Sequence, residues 1–290
     1  MTGTPSARRA AVKGFGLGTV ETVMSVDAVE QAAADLAAAG PTVGELEALA
    51  AGPALLAVHG LVAGYGGMEI LHGVSLRLGA GQSLCLIGPN GAGKSTVLHS
   101  LYGFTTIAAG TIAIGGRDVT RMRPSQRLKD AGIAYVLQDS SVFPDMTVEE
   151  NLLMGGFLLD RPADARAAAQ AVLERYPRLA ERRCQPARVL SGGERRLLEI
   201  SRALIMNPRV LLIDEPSIGL EPRYIDMVFE ILDDLQRRDG RTIVLVEQNA
   251  RKGLAFADIG YVLVSGRLSL VGRAGELLDN PEVGRLFLGG

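Results

Sequence analysis

The sequence predicts an α/β fold, a mostly parallel sheet with helices on both faces. Three observations lead there. Short β-rich apolar runs recur as LCLI (84–87), IAYVL (133–137), VLLI (210–213) and TIVLV (242–246). Helical patterns separate them, and near-continuous apolar strands belong where both sheet faces are covered. One run, LCLI, feeds straight into a glycine-rich turn, GPNGAGKST, that opens a helical stretch.

Residues 1–53 form an N-terminal extension, rich in Ala and Gly, with Phe15 as its one aromatic. Val26, Val29, Ala33, Leu36 and Ala37 share a face at helical spacing. Asp27 and Glu30 have capping-box spacing, as do Thr42 and Glu45. Two short, weakly apolar helices broken at Gly40-Pro41 follow. Such small faces bury too little area to be essential to a core. The extension reads either as a loosely attached segment or as a docking element for a partner.

From Ala54 onward, residues 54–290 read as one α/β unit. Between Thr147 and Leu190 strands give way to helices. Thr147 and Glu150 form a capping box. Arg161 to Arg175 is Ala-rich, with Ala165, Ala169, Val172 and Leu173 on one face. A helical subdomain is therefore inserted into the sheet, and no internal repeat is visible.

The 290 residues are 47% hydrophobic and 21% charged, as in ordinary globular proteins. Thirty basic and 32 acidic residues leave a net charge of -2, which favours neither nucleic acid nor anionic lipid. Cys85 and Cys184 make neither a disulfide framework nor a zinc site, and a reducing cytoplasm fits. His59, His72 and His99 show no ligand spacing. No apolar run reaches the roughly 18 residues of a membrane span. The start lacks the apolar block of a secretory signal, so any membrane role works through a partner.

The first motif, GPNGAGKST, fits G-x-x-x-x-G-K-[ST]. Gly88, Gly91 and Gly93 let the backbone turn tightly and aim N–H groups at phosphate oxygens, with Pro89, Asn90 and Ala92 completing the loop. The following helix adds its positive N-terminal end. Lys94 reaches the β- and γ-phosphates, the Ser95 hydroxyl ligates Mg2+, and Thr96 supports the α-phosphate side. Alone, the motif means nucleotide without naming the machine.

The second motif is VLLIDEP, a buried strand whose acids emerge at its C-terminal end, where open α/β sheets bind ligands. Asp214 can hold Mg2+, largely through water, and Glu215 can polarise an attacking water. In isolation the pair also fits an acidic turn after a core strand. The third motif is LSGGERR. Ser191 and Glu194 have capping-box spacing, and Gly192 and Gly193 leave room for close approach. A helix start of this kind binds anions, so one chain carries two phosphate-binding helix starts.

With GPNGAGKST, VLQD, LSGGE and VLLIDEP in this order, the sequence from about Ala54 to the C-terminus resembles the nucleotide-binding subunits of ABC transporters. The resemblance implies a P-loop nucleoside triphosphatase core, an antiparallel β portion near Leu55–Leu78 and a helical subdomain at about 139–205. It implies an ATPase using ATP and Mg2+. Tyr65, in GYGGMEILHGVSL, is similar to the aromatic that stacks on adenine, although a core or turn tyrosine also fits. Gln138 resembles the glutamine that touches Mg2+ and the water and senses the transmembrane partner. Ser217 to Leu220 would cross to a second ATPase subunit. LSGGE would bind the γ-phosphate held by that subunit, implying a head-to-tail dimer, homomeric or heteromeric, with two ATPs.

Gln248 stands where most such subunits carry a switch histidine. It reads as a catalytic substitute or as a cap on the strand end. VEQNARKGLAFADIGYVLVSGRL, DEPSIGLEP and FLGG resemble the second ATPase subunit of branched-chain amino acid importers; similar ATPases serve urea and short-chain amide importers. The implied partners are two membrane permease subunits and an extracytoplasmic solute-binding protein, at the cytoplasmic face of the membrane. A soluble ABC ATPase acting on DNA or ribosomes is the rival. The stretch from Gln138 to Ser191 shows no sustained heptads, however, and the chain has one cassette. A catalytically dead subunit is opposed by Lys94, Asp214 and Glu215.

Overall fold

The computed structural model describes residues 40–138 and 141–287. The expected helix around Val26–Ala37 lies outside them. The strands are β1 Ala54–Tyr65, β2 Met68–Gly79, β3 Ser83–Ile87, β4 Thr106–Ile114, β5 Arg117–Asp118, β6 Ile133–Val136, β7 Val210–Asp214, β8 Thr242–Val246, β9 Ile259–Val264 and β10 Arg267–Arg273.

All four predicted apolar runs enter one six-stranded sheet, ordered β10-β9-β3-β8-β7-β6. β9, β3, β8, β7 and β6 run parallel, and β10 returns antiparallel along β9. Every residue of β3, β7 and β8 is buried, which is why these runs lack alternation. This order sets the C-terminal ends of β3, β8 and β7 side by side.

The antiparallel portion extends beyond the stretch read from the sequence. It is a sheet ordered β2-β1-β4-β5. β4, TIAAGTIAI, is small-residued and mostly exposed, so it carries almost no hydrophobic pattern. The helix Lys94–Tyr102 lies between the sheets and buries Val97, Leu98 and Leu101. Arg127, 1% exposed, catches the end of that helix. Its guanidinium donates to Ser100 O (2.5 Å), Leu101 O (2.7 Å), Thr120 O (2.7 Å) and Met122 O (3.1 Å). A cation at a helix C-terminus is favourable, and here it also satisfies helix-end carbonyls.

Helices Val148–Gly155, Pro162–Arg175, Pro177–Ala180 and Gly192–Leu204 form the inserted subdomain between β6 and β7. Thr147 caps the first of these through Glu150, and Ala165, Ala169, Val172 and Leu173 are buried. Among the described residues no helix is long and apolar enough to cross a membrane.

The described part of the extension packs on the cassette rather than hanging loosely. Thr42 and Glu45 box the start of helix Val43–Leu49. Leu46 is 2% exposed, in the core between the sheets. Gln82 Oε1 accepts from Ala51 N (2.8 Å), and Gln82 Nε2 donates to Leu49 O (3.1 Å). One leucine and the Gln82 side chain's bonds to the backbone hold a segment whose apolar faces were expected to be too small to pack. The packed unit therefore begins before residue 54.

Candidate nucleotide-binding site

The loop Gly88–Gly93 joins β3 to helix 94–102. At Gly88, φ is +148°, and a Cβ would stand 2.0 Å from Leu263 O, so β9 admits glycine alone there. The loop is braced from outside by the β9–β10 turn, where Gly266 N donates to Ala92 O (2.9 Å). Lys94 lies inside the loop and donates to Gly88 O (2.9 Å) and Pro89 O (3.0 Å). Burial pulls its ammonium down, opposed by Glu215 and then Asp214. Thr96 is buried on the same helix.

The acids of β7 emerge beside it. Asp214 accepts from Ser95 Oγ (3.1 Å) on one oxygen and from Tyr135 OH (2.9 Å) on the other. Glu215 has φ +43°, in the left-handed region that non-glycine residues seldom occupy. Its N–H holds that turn by donating to Val246 O at 2.9 Å. Glu215 Oε2 accepts from Gln138 Nε2 at 3.1 Å. Burial, with the Asp214 charge next, pushes the Glu215 carboxyl above its ordinary value against the pull of Lys94.

Among the described residues, no group of three His, Cys, Asp or Glu is placed to hold a metal unaided. Ser95 and Asp214 are a hard oxygen pair, which suits a Mg2+ completed by phosphate oxygens and water. Tyr65 ends β1 and reaches over helix 94–102, where its hydroxyl pairs with His99 Nδ1. Tyr65 is 38% exposed.

Two predicted groups stand apart. Gln248, one residue beyond buried Glu247, is exposed, and its carbonyl accepts from Ala250 N at 3.0 Å. Ser191 caps helix 192–204: its Oγ accepts from Glu194 N (3.3 Å) and its N–H donates to Glu194 Oε2 (2.9 Å). The room at Gly193 is taken by the same chain, since a Cβ would lie 2.3 Å from the Tyr224 ring.

Sequence reasoning missed Tyr135, Glu247 and a buried ion pair, Arg196 with Glu199. Glu247 follows TIVLV as Asp214 follows VLLI, an acid at the end of a buried strand. Tyr135 is a phenol inside an apolar run. Both signals were present.

Strand, phosphate-type loop and helix, with an acidic pair on the next strand but one, define a P-loop ATPase. A family model described as "ABC transporter" matches residues 71–218. The chain belongs to the ABC transporter family and is an ATP-hydrolysing cassette of it. It is 46% identical over 226 residues to the high-affinity branched-chain amino acid transport ATP-binding protein BraG of Pseudomonas aeruginosa, covering 78% of this chain and 96% of that one. It is 37% identical over 229 residues to the probable branched-chain amino acid transport ATP-binding protein LivF of Archaeoglobus fulgidus, covering 79% and 96%. Among solved structures it is similar to the ADP conformation of an ATP-binding cassette of an ABC transporter. There the TM-score is 0.72 at 28% identity, over 82% of this chain and 100% of that one.

Proposed function

We propose that this chain couples MgATP binding and hydrolysis to import of branched-chain amino acids, as the cytoplasmic motor of a permease. The observation that carries the chemistry is the meeting of Ser95, at the start of helix 94–102, with Asp214, and of Glu215 with Gln138, at the ends of neighbouring strands β7 and β6. Lys94 and the loop N–H groups bind the β- and γ-phosphates, and Tyr65 stacks on the base. Ser95 and Asp214 would hold Mg2+, and the ion would supply charge neutralisation at the phosphate oxygens. Glu215, above its ordinary carboxyl value, orients and deprotonates the attacking water, with Gln138 fixing its Oε2. Gln248 donates its amide to the γ-phosphate.

The surfaces support the partners that the family resemblance implies. A groove of about 350 Å³ is lined by Tyr135, Phe143, Met154, Phe157 and Arg202, with Phe157 78% exposed. An apolar recess beside the glutamine segment fits a helix from a membrane permease. Ile218, exposed in the loop after Glu215, and the Ser191 helix start suit a head-to-tail second ATPase subunit. A solute-binding protein would complete the system.

Uptake of labelled leucine in cells lacking the gene tests the reading. Wild-type chain restores uptake and Lys94→Ala does not. Intact leucine uptake with lost urea or amide uptake would move the solute assignment to that class.

A further inference from the structure

We propose that Glu247 is a positioning residue that ties the Glu215 loop to the Gln248 loop and holds both in one frame. The inference rests on the ATPase reading for its kinetic consequence, but the tie itself is a matter of geometry. Glu247 follows β8 directly and is 2% exposed. Its Oε1 accepts from Ser217 Oγ at 2.6 Å and from Asn249 N at 3.0 Å. Ser217 and Glu247 are 30 residues apart in sequence, and Ser217 is two residues past Glu215. The backbone adds a parallel link, since Glu215 N donates to Val246 O at 2.9 Å and Asp214 pairs with Val246. A single carboxyl oxygen thus joins the segments that carry the base and the switch amide.

Packing fixes its direction. Gly253 faces this side chain so closely that a Cβ there would lie 3.0 Å from Glu247 Cβ and 2.6 Å from Cys85 Sγ. The other oxygen, Oε2, is buried without a partner among the described residues. A residue that merely closed the 247–249 turn would need only the Asn249 bond. A hydroxyl or amide would do that without burying a carboxyl group. The Ser217 bond is the extra feature, and it points toward the reacting centre.

The full-length chain tests this with Glu247→Ala, Glu247→Gln, Ser217→Ala and the Ser217→Ala/Glu247→Ala pair. Glu247→Ala lowers kcat about tenfold or more while KM for MgATP stays within about twofold. Glu247→Gln, whose Oε1 still accepts both bonds, recovers most of the rate. The double variant is no slower than Glu247→Ala, because both changes remove one bond. Ser217→Ala alone speeds amide hydrogen exchange at 248–249 and leaves helix 162–175 unchanged. Wild-type kcat in Glu247→Ala, equal losses in Ala and Gln, additive losses, or unaltered exchange at 248–249 in Ser217→Ala would each overturn the proposal. If the unaltered chain fails to hydrolyse MgATP, the ATPase reading falls, and the exchange measurement still judges the tie.

Discussion

Gln138 Nε2 donates to Glu215 Oε2 at 3.1 Å, so residues leaving β6 and β7 meet across neighbouring strand ends. The bond fixes one carboxyl oxygen, and the proposed role assigns the other to a water. Replacing Glu215 by Gln keeps the shape and removes the carboxylate proposed as the base. Nucleotide binding is expected to persist while turnover falls by about 10²- to 10⁴-fold. Phosphate release and binding of a fluorescent nucleotide measure the two separately. Wild-type turnover would assign water activation to another group.

A second coupling runs from the LSGGERR helix to the same glutamine. Arg196 and Glu199 pair at 2.9 Å, 7% and 3% exposed. Arg196 donates to Leu137 O (2.9 Å) and Gln138 O (3.1 Å), and Glu199 Oε1 accepts from Ser141 N (3.0 Å). Burial lifts the Glu199 carboxyl above its ordinary value despite Arg196 beside it. Arg196→Met removes that counter-charge and lifts it further. A group raised on folding adds stability below its unfolded value and loses it as pH rises through the folded one. The variant is therefore expected to lose most stability near pH 8, about 3–5 kcal/mol, and less near pH 5. Urea unfolding at both pH values checks this; equal losses would exclude Glu199 as the cause.

Gly192 and Gly193 separate by what surrounds them. A Cβ at 193 would lie 2.3 Å from Tyr224 Cδ1 and 2.7 Å from Cγ, whereas one at 192 meets Leu220 Cδ2 at 3.2 Å. A ring cannot yield as a leucine tip can. Gly193→Ala should cost about 1–3 kcal/mol and Gly192→Ala less. Thermal unfolding ranks them, and adding Tyr224→Ala to Gly193→Ala should recover stability. The opposite ranking would count against the Tyr224 contact.

The parts of the fold that were legible share a physical cause. β3, β7 and β8 are buried on both faces, so their runs show even without alternation. The 88–96 loop has a pattern because each glycine and the lysine meet a separate steric or charge demand. β4 and β5 left little trace because their mostly exposed residues are held by pairing, β4 with β1 and β5 with β4. Arg127 carries no local signal in RPSQRLK. Its burial comes from carbonyls of helix 94–102 and of residues 120 and 122, which the chain assembles only in three dimensions. Tyr65 was found by resemblance, whereas its partner His99 was read as unremarkable.

Leu46 tests the attachment of the extension. It is the one buried residue of helix 43–49. Leu46→Ala should cost about 2–4 kcal/mol, and deleting residues 1–52 at least as much. Urea unfolding of the two variants gives the comparison. Stability equal to wild type in both would show that the packing of this helix contributes nothing.

Gln248 is the last test. It lies between buried Glu247 and Asn249, whose side chain accepts from Lys252 N at 3.1 Å to cap helix Ala250–Phe256. Both neighbours are held, so the Gln248 backbone is fixed, and the residue itself is exposed. A strand-end cap would spend its side-chain amide on the backbone. An exposed residue next to a fixed frame suits contact with a phosphate instead. The amide carries two donors and one acceptor and does not titrate. Gln248→Ala is therefore expected to cut kcat strongly and to spare KM for MgATP. Gln248→His should stay active and gain a pH dependence near about 6.5, since its charge-assisted contact is lost as the imidazole deprotonates. The expected direction is lower turnover above that pH. Steady-state turnover of both variants from about pH 5.5 to 8.5 supplies the measurement. Unchanged kcat in Gln248→Ala would remove this residue from the reaction and leave the water to Glu215 and Gln138.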